Sequence, residues 1–322
     1  MNRIMDAAVD ISICLCTFNR ADQLKDALDS LFAQHTDGVF TFEIVIVDDG
    51  STDTTPVVVN QATAISPVPI RYVRQPNSGV ATARNRSVKE ANGEWLAFFD
   101  DDQIACAQWL LRLFRRAEQT GAECIGGPSL LTFPAGGEIN PIGTVRKLLG
   151  ENPFMMRAPT YLSWLDLRRK TTAIPGTGNA LVRKKIFSRL GGFREGVRYG
   201  EDFEFFHKIA QTGIRMDIAP EAIIYQVVPV ARLQPAYLLP LAKKGALNQA
   251  DHDWKYFSRA RIFLLVILRS GFLAFWIAPT LVAAYWSNRP EVLLAKRCSL
   301  SFSITYLRRI ADNIRSKKSD GE

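Results

Sequence analysis

No Cys-x-x-Cys pair occurs in the chain of 322 residues, and histidine appears only three times. The five cysteines, Cys14, Cys16, Cys106, Cys124 and Cys298, are odd in number, which argues against a disulfide framework or a classical zinc site and fits a reducing compartment. Cys14 and Cys16 stand in an apolar run and read as small buried residues. The turn after that run, "CTFNRADQL", holds no glycine. It therefore lacks both the Gly-x-Gly-x-x-Gly fingerprint of dinucleotide-binding folds and a Gly-rich phosphate loop. The N-terminus, "MNRIMDAAVDISICLC", is interrupted by Asp6 and Asp10 and makes a poor signal peptide, so a cytoplasmic location is expected. A separate basic module is missing too. The net charge of +8 lies mostly at 146–185 and after 232, where basic residues accompany apolar helices, and nucleic acid is not an expected partner.

What is present is a regular alternation. Apolar runs rich in β-branched and aromatic residues at 11–16, 43–48, 70–74 and 94–99 read as strands. Between and after them, Leu24, Leu28, Leu31 and Phe32, then 81–91 and 109–117, recur at helical spacing, with Asn19 as a plausible cap for the first helix. Near-continuous apolar strands separated by helices imply an α/β fold with a parallel sheet covered on both faces. Ligands of such sheets bind beyond the carboxyl ends of the strands. The polar residues that should meet there are Thr17 to Arg20, Asp48 to Ser51, and Asp100 to Asp102. Residues 126–170, rich in Gly and Pro, read as irregular connection or a substrate-facing insertion. The stretch 176–193 reads as a Gly-rich loop, an apolar segment and a helix stopped at Gly191-Gly192, and 199–213 as a helix with an acidic start.

The three consecutive carboxylates, Asp100, Asp101 and Asp102, end the run "GEWLAFF". Two like charges about 4 Å apart repel by roughly 1 kcal/mol in water and roughly 4 kcal/mol at an effective dielectric near 20. A cation at that edge would offset this cost, and a divalent metal is the obvious candidate. Ordinary turn chemistry also favours Asp, which explains one or two of them more readily than three. Continued strand alternation would send Asp100 and Asp102 to one side and Asp101 to the other.

Taken in order, "ISICLCTFNR", "EIVIVDDGSTD", "NSGVATARNRSVKEANGEWLAFFDDD", "GTGNALVRKKIFSRLGGF" and "YGEDFEFF" resemble the family 2 glycosyltransferases of the GT-A fold, over about residues 10–228. The resemblance implies an inverting transfer of one sugar from a nucleotide-sugar donor (UDP-, GDP- or dTDP-linked) to an acceptor hydroxyl, with Mg²⁺ or Mn²⁺. By position, Phe18 replaces the aromatic that stacks on the base and Asp49 the carboxylate that reads it, while Thr17, Arg20, Arg84 and Asp101 adjoin the donor. Asp100 and Asp102 form the Asp-x-Asp motif, with Asp102 as metal ligand and Asp100 beside the ribose and metal. Asp202 corresponds to the catalytic base, and Glu201 is the fallback base or a support for it. The sequence departs from the pattern where the family often places a further His ligand: "AIIYQVVP" has Gln226. His207 is read as packing or surface. No Gln-x-x-Arg-Trp of processive synthases is present, which favours single-sugar addition. The alternatives are a sugar-nucleotide nucleotidyltransferase and a glycosyltransferase-like scaffold.

Residues 1–228 are expected to form the catalytic domain, divided near 125 into donor and acceptor halves, and 229–322 a helical, membrane-associating region. Residues 262–286 are apolar apart from Arg269, and basic residues flank them on both sides. Shallow or re-entrant insertion at an anionic, cytoplasmic membrane surface is preferred to a true span, since Arg269 is costly in hydrocarbon and Pro279 implies a kink. The tail from Leu307 is expected to fray. Membrane contact would suit a lipid-linked or cell-surface glycan precursor as acceptor.

Overall fold

The computed structural model describes residues 9–133, 143–149, 151, 175–196, 200–287 and 289–319. Most of the irregular region expected at 126–170, and Tyr199, lie outside them. The strands are β1 (Ile11–Thr17), β2 (Phe42–Asp48), β3 (Ile70–Arg74), β4 (Trp95–Asp100), β5 (Gln103–Ala105), β6 (Cys124–Gly126), β7 (Ser129–Thr132), β8 (Asn179–Arg183), β9 (Met216–Ile218) and β10 (Ile224–Val227). The helices are α1 (Ala21–Phe32), α2 (Thr55–Ile65), α3 (Val80–Glu90), α4 (Trp109–Thr120), α5 (Gly143–Leu148), α6 (Lys184–Leu190), α7 (Glu201–Gln211), α8 (Pro235–Tyr256), α9 (Arg259–Phe272), α10 (Ala278–Trp286) and α11 (Pro290–Ser319).

The chain divides into two units, one of residues 1–130 and 152–227, the other of 131–151 and 228–322. The first is built on a seven-stranded sheet of order β3-β2-β1-β4-β8-β6-β9. Its first four strands are mutually parallel, as expected, but β8 runs antiparallel to both β4 and β6. Strand β8 is followed directly by α6 and could not have been assigned a direction from its apolar pattern alone. Side chains alternate between two cores. Ile13, Leu15, Ile44, Ile46, Ala97 and Phe99 face one, covered by α1, α2 and α4. Cys14, Val45, Val47, Leu96 and Phe98 face the other, covered by α3, α6 and α7. Each fully buried side chain of this size contributes roughly 1.5–3 kcal/mol, which explains why these strands carry almost no polar residue before their carboxyl ends. Beside this sheet, β5 pairs antiparallel with β10 and sets Gln226 opposite Gln103.

The second unit is helical. Helix α8 packs along α11, and α9 and α10, joined by a π-helical turn at Leu273–Ile277, pack on α11 as well. Pro279 sits in the first turn of α10, directly after that wider turn. The tail does not fray from Leu307: α11 continues to Ser319, with Tyr306 and Ile310 buried. Buried Asp253 of α8 ties the bundle together, accepting hydrogen bonds from the Tyr306 hydroxyl at 2.7 Å and Gln249 at 2.6 Å.

Candidate active site

Three strand ends meet at one sheet edge, and the turns after them are stitched to one another. Asn19 adopts a left-handed φ of 52°. Its backbone N–H donates to the Ser51 hydroxyl at 2.9 Å, and its side-chain oxygen accepts from the Thr52 N–H at 2.8 Å. Asn19 therefore does not cap α1 as expected; the N–H of Ala21 is instead taken by Asp53, from the neighbouring turn. The β2 turn is closed by Asp48, which accepts from the Ser51 N–H and from Tyr72 at 2.7 Å each. Gly50 has φ 86°, and a Cβ there would lie 2.8 Å from the backbone nitrogen of Asn77, so only glycine fits.

Asp49 is buried and accepts three hydrogen bonds, from Gln75, the Ser78 N–H and the Gly79 N–H, at 2.7–2.9 Å. It thereby fixes the loop that leads into α3. A carboxylate has about four acceptor positions, so one is left for a ligand. Phe18 projects from the β1 turn with 44% of its surface exposed, a ring face open to stacking. Thr17, at the buried end of β1, adjoins Asp101.

The carboxylate cluster departs from the expected alternation. Strand β4 ends at Asp100, and the turn that follows directs Asp101 and Asp102 to the same partner. The Arg20 guanidinium lies 2.7 Å from Asp102 and 3.5 Å from Asp101. Asp100 pairs instead with Arg84 of α3 at 3.2 Å. The same guanidinium reaches Glu201, at the start of α7, at 2.6 Å. Arg84 thus joins the end of β4 to the helix that carries Asp202. Burial pushes the Asp100 carboxyl above its usual range, with Arg84 opposing, and pushes Asp101 up to about 7 against the pull of Arg20.

Asp202 lies in the first turn of α7, half-buried, with one oxygen accepting from the Phe203 N–H at 2.7 Å. Its charge is felt by both Asp100 and Arg84. The loop 176–178 passes beneath these acids. A Cβ on Gly178 would lie 3.1 Å from Asp100 and 2.6 Å from Gln103, and Gly176 faces Asp202. Gln103, whose side-chain oxygen accepts the Asp100 N–H at 3.1 Å, is a site residue the sequence reading missed. Its only sequence signal was its place directly after the third aspartate. Gln226 occupies the position expected for a His ligand and lies 3.5 Å from Asp102. His207 bonds to Gln211 and stacks on Phe203, both on its own helix.

Among the described residues no three His, Cys, Asp or Glu side chains form a ready cage for a metal. The donor set nevertheless fits a divalent ion that takes one or two carboxylates and completes its shell with phosphate oxygens, as Mg²⁺ sites commonly do. Among the described residues five carboxylates (Asp100, Asp101, Asp102, Glu201, Asp202) face two guanidiniums (Arg20, Arg84), and desolvation raises two of the acids, Asp100 and Asp101.

Residues 12–191 match the family described as glycosyl transferase family 2, and the chain belongs to it. It is a glycosyltransferase with the GT-A fold. It is 35% identical over 280 residues to the succinoglycan biosynthesis protein ExoO of Rhizobium meliloti (strain 1021), covering 82% of this chain and 78% of that one. It is 30% identical over 233 residues to ExoM of the same organism, covering 71% and 70%. Among solved structures it resembles a mannosyltransferase from Pyrobaculum calidifontis in complex with GDP-Man and Mn²⁺, with a TM-score of 0.61, 19% identity and coverage of 94% and 90%. Staphylococcus aureus TarS in complex with UDP-GlcNAc follows, at a TM-score of 0.52, 18% identity and coverage of 95% and 92%. Family membership replaces the nucleotidyltransferase alternative.

Proposed function

We propose that this glycosyltransferase performs an inverting transfer of a single sugar from a nucleotide-sugar to an acceptor hydroxyl on a glycan or lipid-linked precursor at the cytoplasmic face of a membrane. The observation that carries the reading is the excess of carboxylates over guanidiniums among the described residues at the strand ends. Mg²⁺ or Mn²⁺ held by Asp102 and Asp100 together with diphosphate oxygens would neutralise the charge that develops on the departing nucleoside diphosphate. Phe18 offers its open face to the base, and Asp49 its remaining acceptor position. Thr17, Arg20 and Asp101 border the donor on the β1 side. Arg84 holds Asp100 and the start of α7 in fixed relation.

Asp202 serves as the base. Its carboxylate takes the proton of the acceptor hydroxyl as that oxygen bonds to the anomeric carbon and the bond to the diphosphate oxygen breaks on the opposite face. Glu201, engaged by Arg84, supports Asp202 rather than competing for the proton. Gln226 turns its amide N–H toward Asp102 at 3.5 Å and could offer a metal at most its neutral oxygen. The ligands named for the Pyrobaculum and Staphylococcus proteins support a nucleotide-sugar and a metal, and the names of the Rhizobium relatives support polysaccharide assembly.

The test is calorimetric binding of UDP, GDP and dTDP with and without Mn²⁺, in the unmodified chain and in Asp102→Ala. Metal-dependent binding of one nucleotide, lost in the variant, is the expected result. A folded protein that binds none of the three, with or without Mn²⁺, would overturn the reading of the donor site.

A further inference from the structure

Helices α9 and α10 and the π-turn between them form one continuous helix, Arg259–Trp286, of 28 residues and mean hydropathy 2.0 in its most apolar window. Only 22% of that window is buried. The buried positions, Ile262, Leu265, Arg269, Ile277 and Ala284, fall at separations of three, four, eight and seven residues and define a single stripe. Away from it stand Phe263, Ile267, Phe275, Trp276, Tyr285 and Trp286, with Phe275 84% and Trp286 81% exposed. Arg269 is the only charged residue between Arg261 and Arg289, and it is turned inward. It is 3% exposed, and its guanidinium carbon lies 3.9 Å from the centre of the Tyr306 ring. The outward face is therefore apolar and aromatic over its whole length, and it ends in exposed Arg259 and Arg289, with exposed Arg297 on the adjoining helix.

Length alone would let this helix cross a bilayer, but its neighbour opposes it. Helix α11 returns beside it and sets the Lys296 ammonium 5.9 Å from the centre of the Trp276 ring. Trp276 lies ten residues from the helix end, about 15 Å at 1.5 Å per residue, close to the middle of a ~30 Å hydrocarbon core. A spanning pose would therefore hold Lys296 at the depth where a charge is most costly. An in-plane pose meets no such conflict. It sinks the aromatic face to the level where Trp and Tyr are favoured and leaves the basic residues among lipid phosphates.

We infer that the outward face of α9–α10 is a membrane-docking surface that lies flat in the interfacial layer of an anionic bilayer. This surface is independent of the transfer chemistry, so nucleotide binding and membrane binding are separate readouts. The experiment is flotation of the full chain with phosphatidylcholine vesicles with and without phosphatidylglycerol, at low and high salt. Binding to the anionic vesicles, weakened by salt and resistant to the loss of nucleotide binding in Asp102→Ala, is expected. The variant Phe275→Ser/Trp276→Ser/Trp286→Ser should lower the partition coefficient roughly 100-fold or more while circular dichroism and nucleotide binding stay unchanged. Arg259→Gln/Arg289→Gln should cost roughly fivefold per residue on anionic vesicles alone. Equal flotation of the aromatic variant, or no flotation of the unmodified chain, would overturn the inference. So would retention in the membrane after alkaline carbonate extraction, which indicates a span, or a dimer that the aromatic variant converts to monomer, which indicates a second copy on this face.

Discussion

Two buried acidic groups, one in each unit, are treated in opposite ways. In the helical unit Asp253 is fully buried and fully answered: Tyr306 and Gln249 donate to it, and His252 lies 3.3 Å away. At the sheet edge, among the described residues, four carboxylates pair with two guanidiniums and Asp202 stands beside them, and desolvation raises the carboxyls of Asp100 and Asp101. The first arrangement holds helices together. The second costs folding free energy until a ligand supplies positive charge, and that surplus separates a binding site from a structural network.

The contrast yields four expectations. The largest concerns Asp202→Asn, which should lower turnover with any accepted donor by about 10²- to 10⁴-fold while leaving nucleotide affinity nearly unchanged, as steady-state rates and calorimetry would show. Retained turnover would move the base elsewhere. Next, Asp253→Ala orphans the Tyr306 hydroxyl and the Gln249 amide and should destabilise the helical unit by about 2–4 kcal/mol in denaturant titrations. Asp102→Ala should behave differently. Measured without metal, it removes one of several crowded acids from a partly exposed Arg20, so its stability should change by no more than about 1 kcal/mol. A large loss would make Asp102 structural and dissolve the comparison. The last concerns Phe18→Ala, which removes a stacking face and should weaken nucleotide binding by about 1 kcal/mol without altering thermal stability.

Much of the sheet edge was legible because burial on two faces leaves so little freedom in strand composition. The four parallel strands and the three polar turns could be read from apolar runs and from where they stop. Local periodicity carries no information on which turn residue serves which neighbour. Asn19 suited a helix cap by type, yet its left-handed backbone turns it toward the next loop. Alternation was extended past Asp100 although the strand ends there, and a turn obeys no period of two. The direction of β8, the hold of Asp49 on 75–79 and the place of Gln103 depend on contacts that no pattern along the chain encodes. The inward turn of Arg269 is of the same kind. Hydropathy counts it as an interruption, while packing against Tyr306 removes it from the outward face.

The Arg84 guanidinium touches Asp100, proposed to face the donor, and, through Glu201, the helix that carries Asp202, proposed as the base. Under those proposed roles, a shared part of this kind would make the two substrates correspondents. Whatever the arrival of the donor does to the grip on acceptor, the acceptor must do in equal measure to the grip on donor, because the coupling free energy has one value whichever ligand comes first.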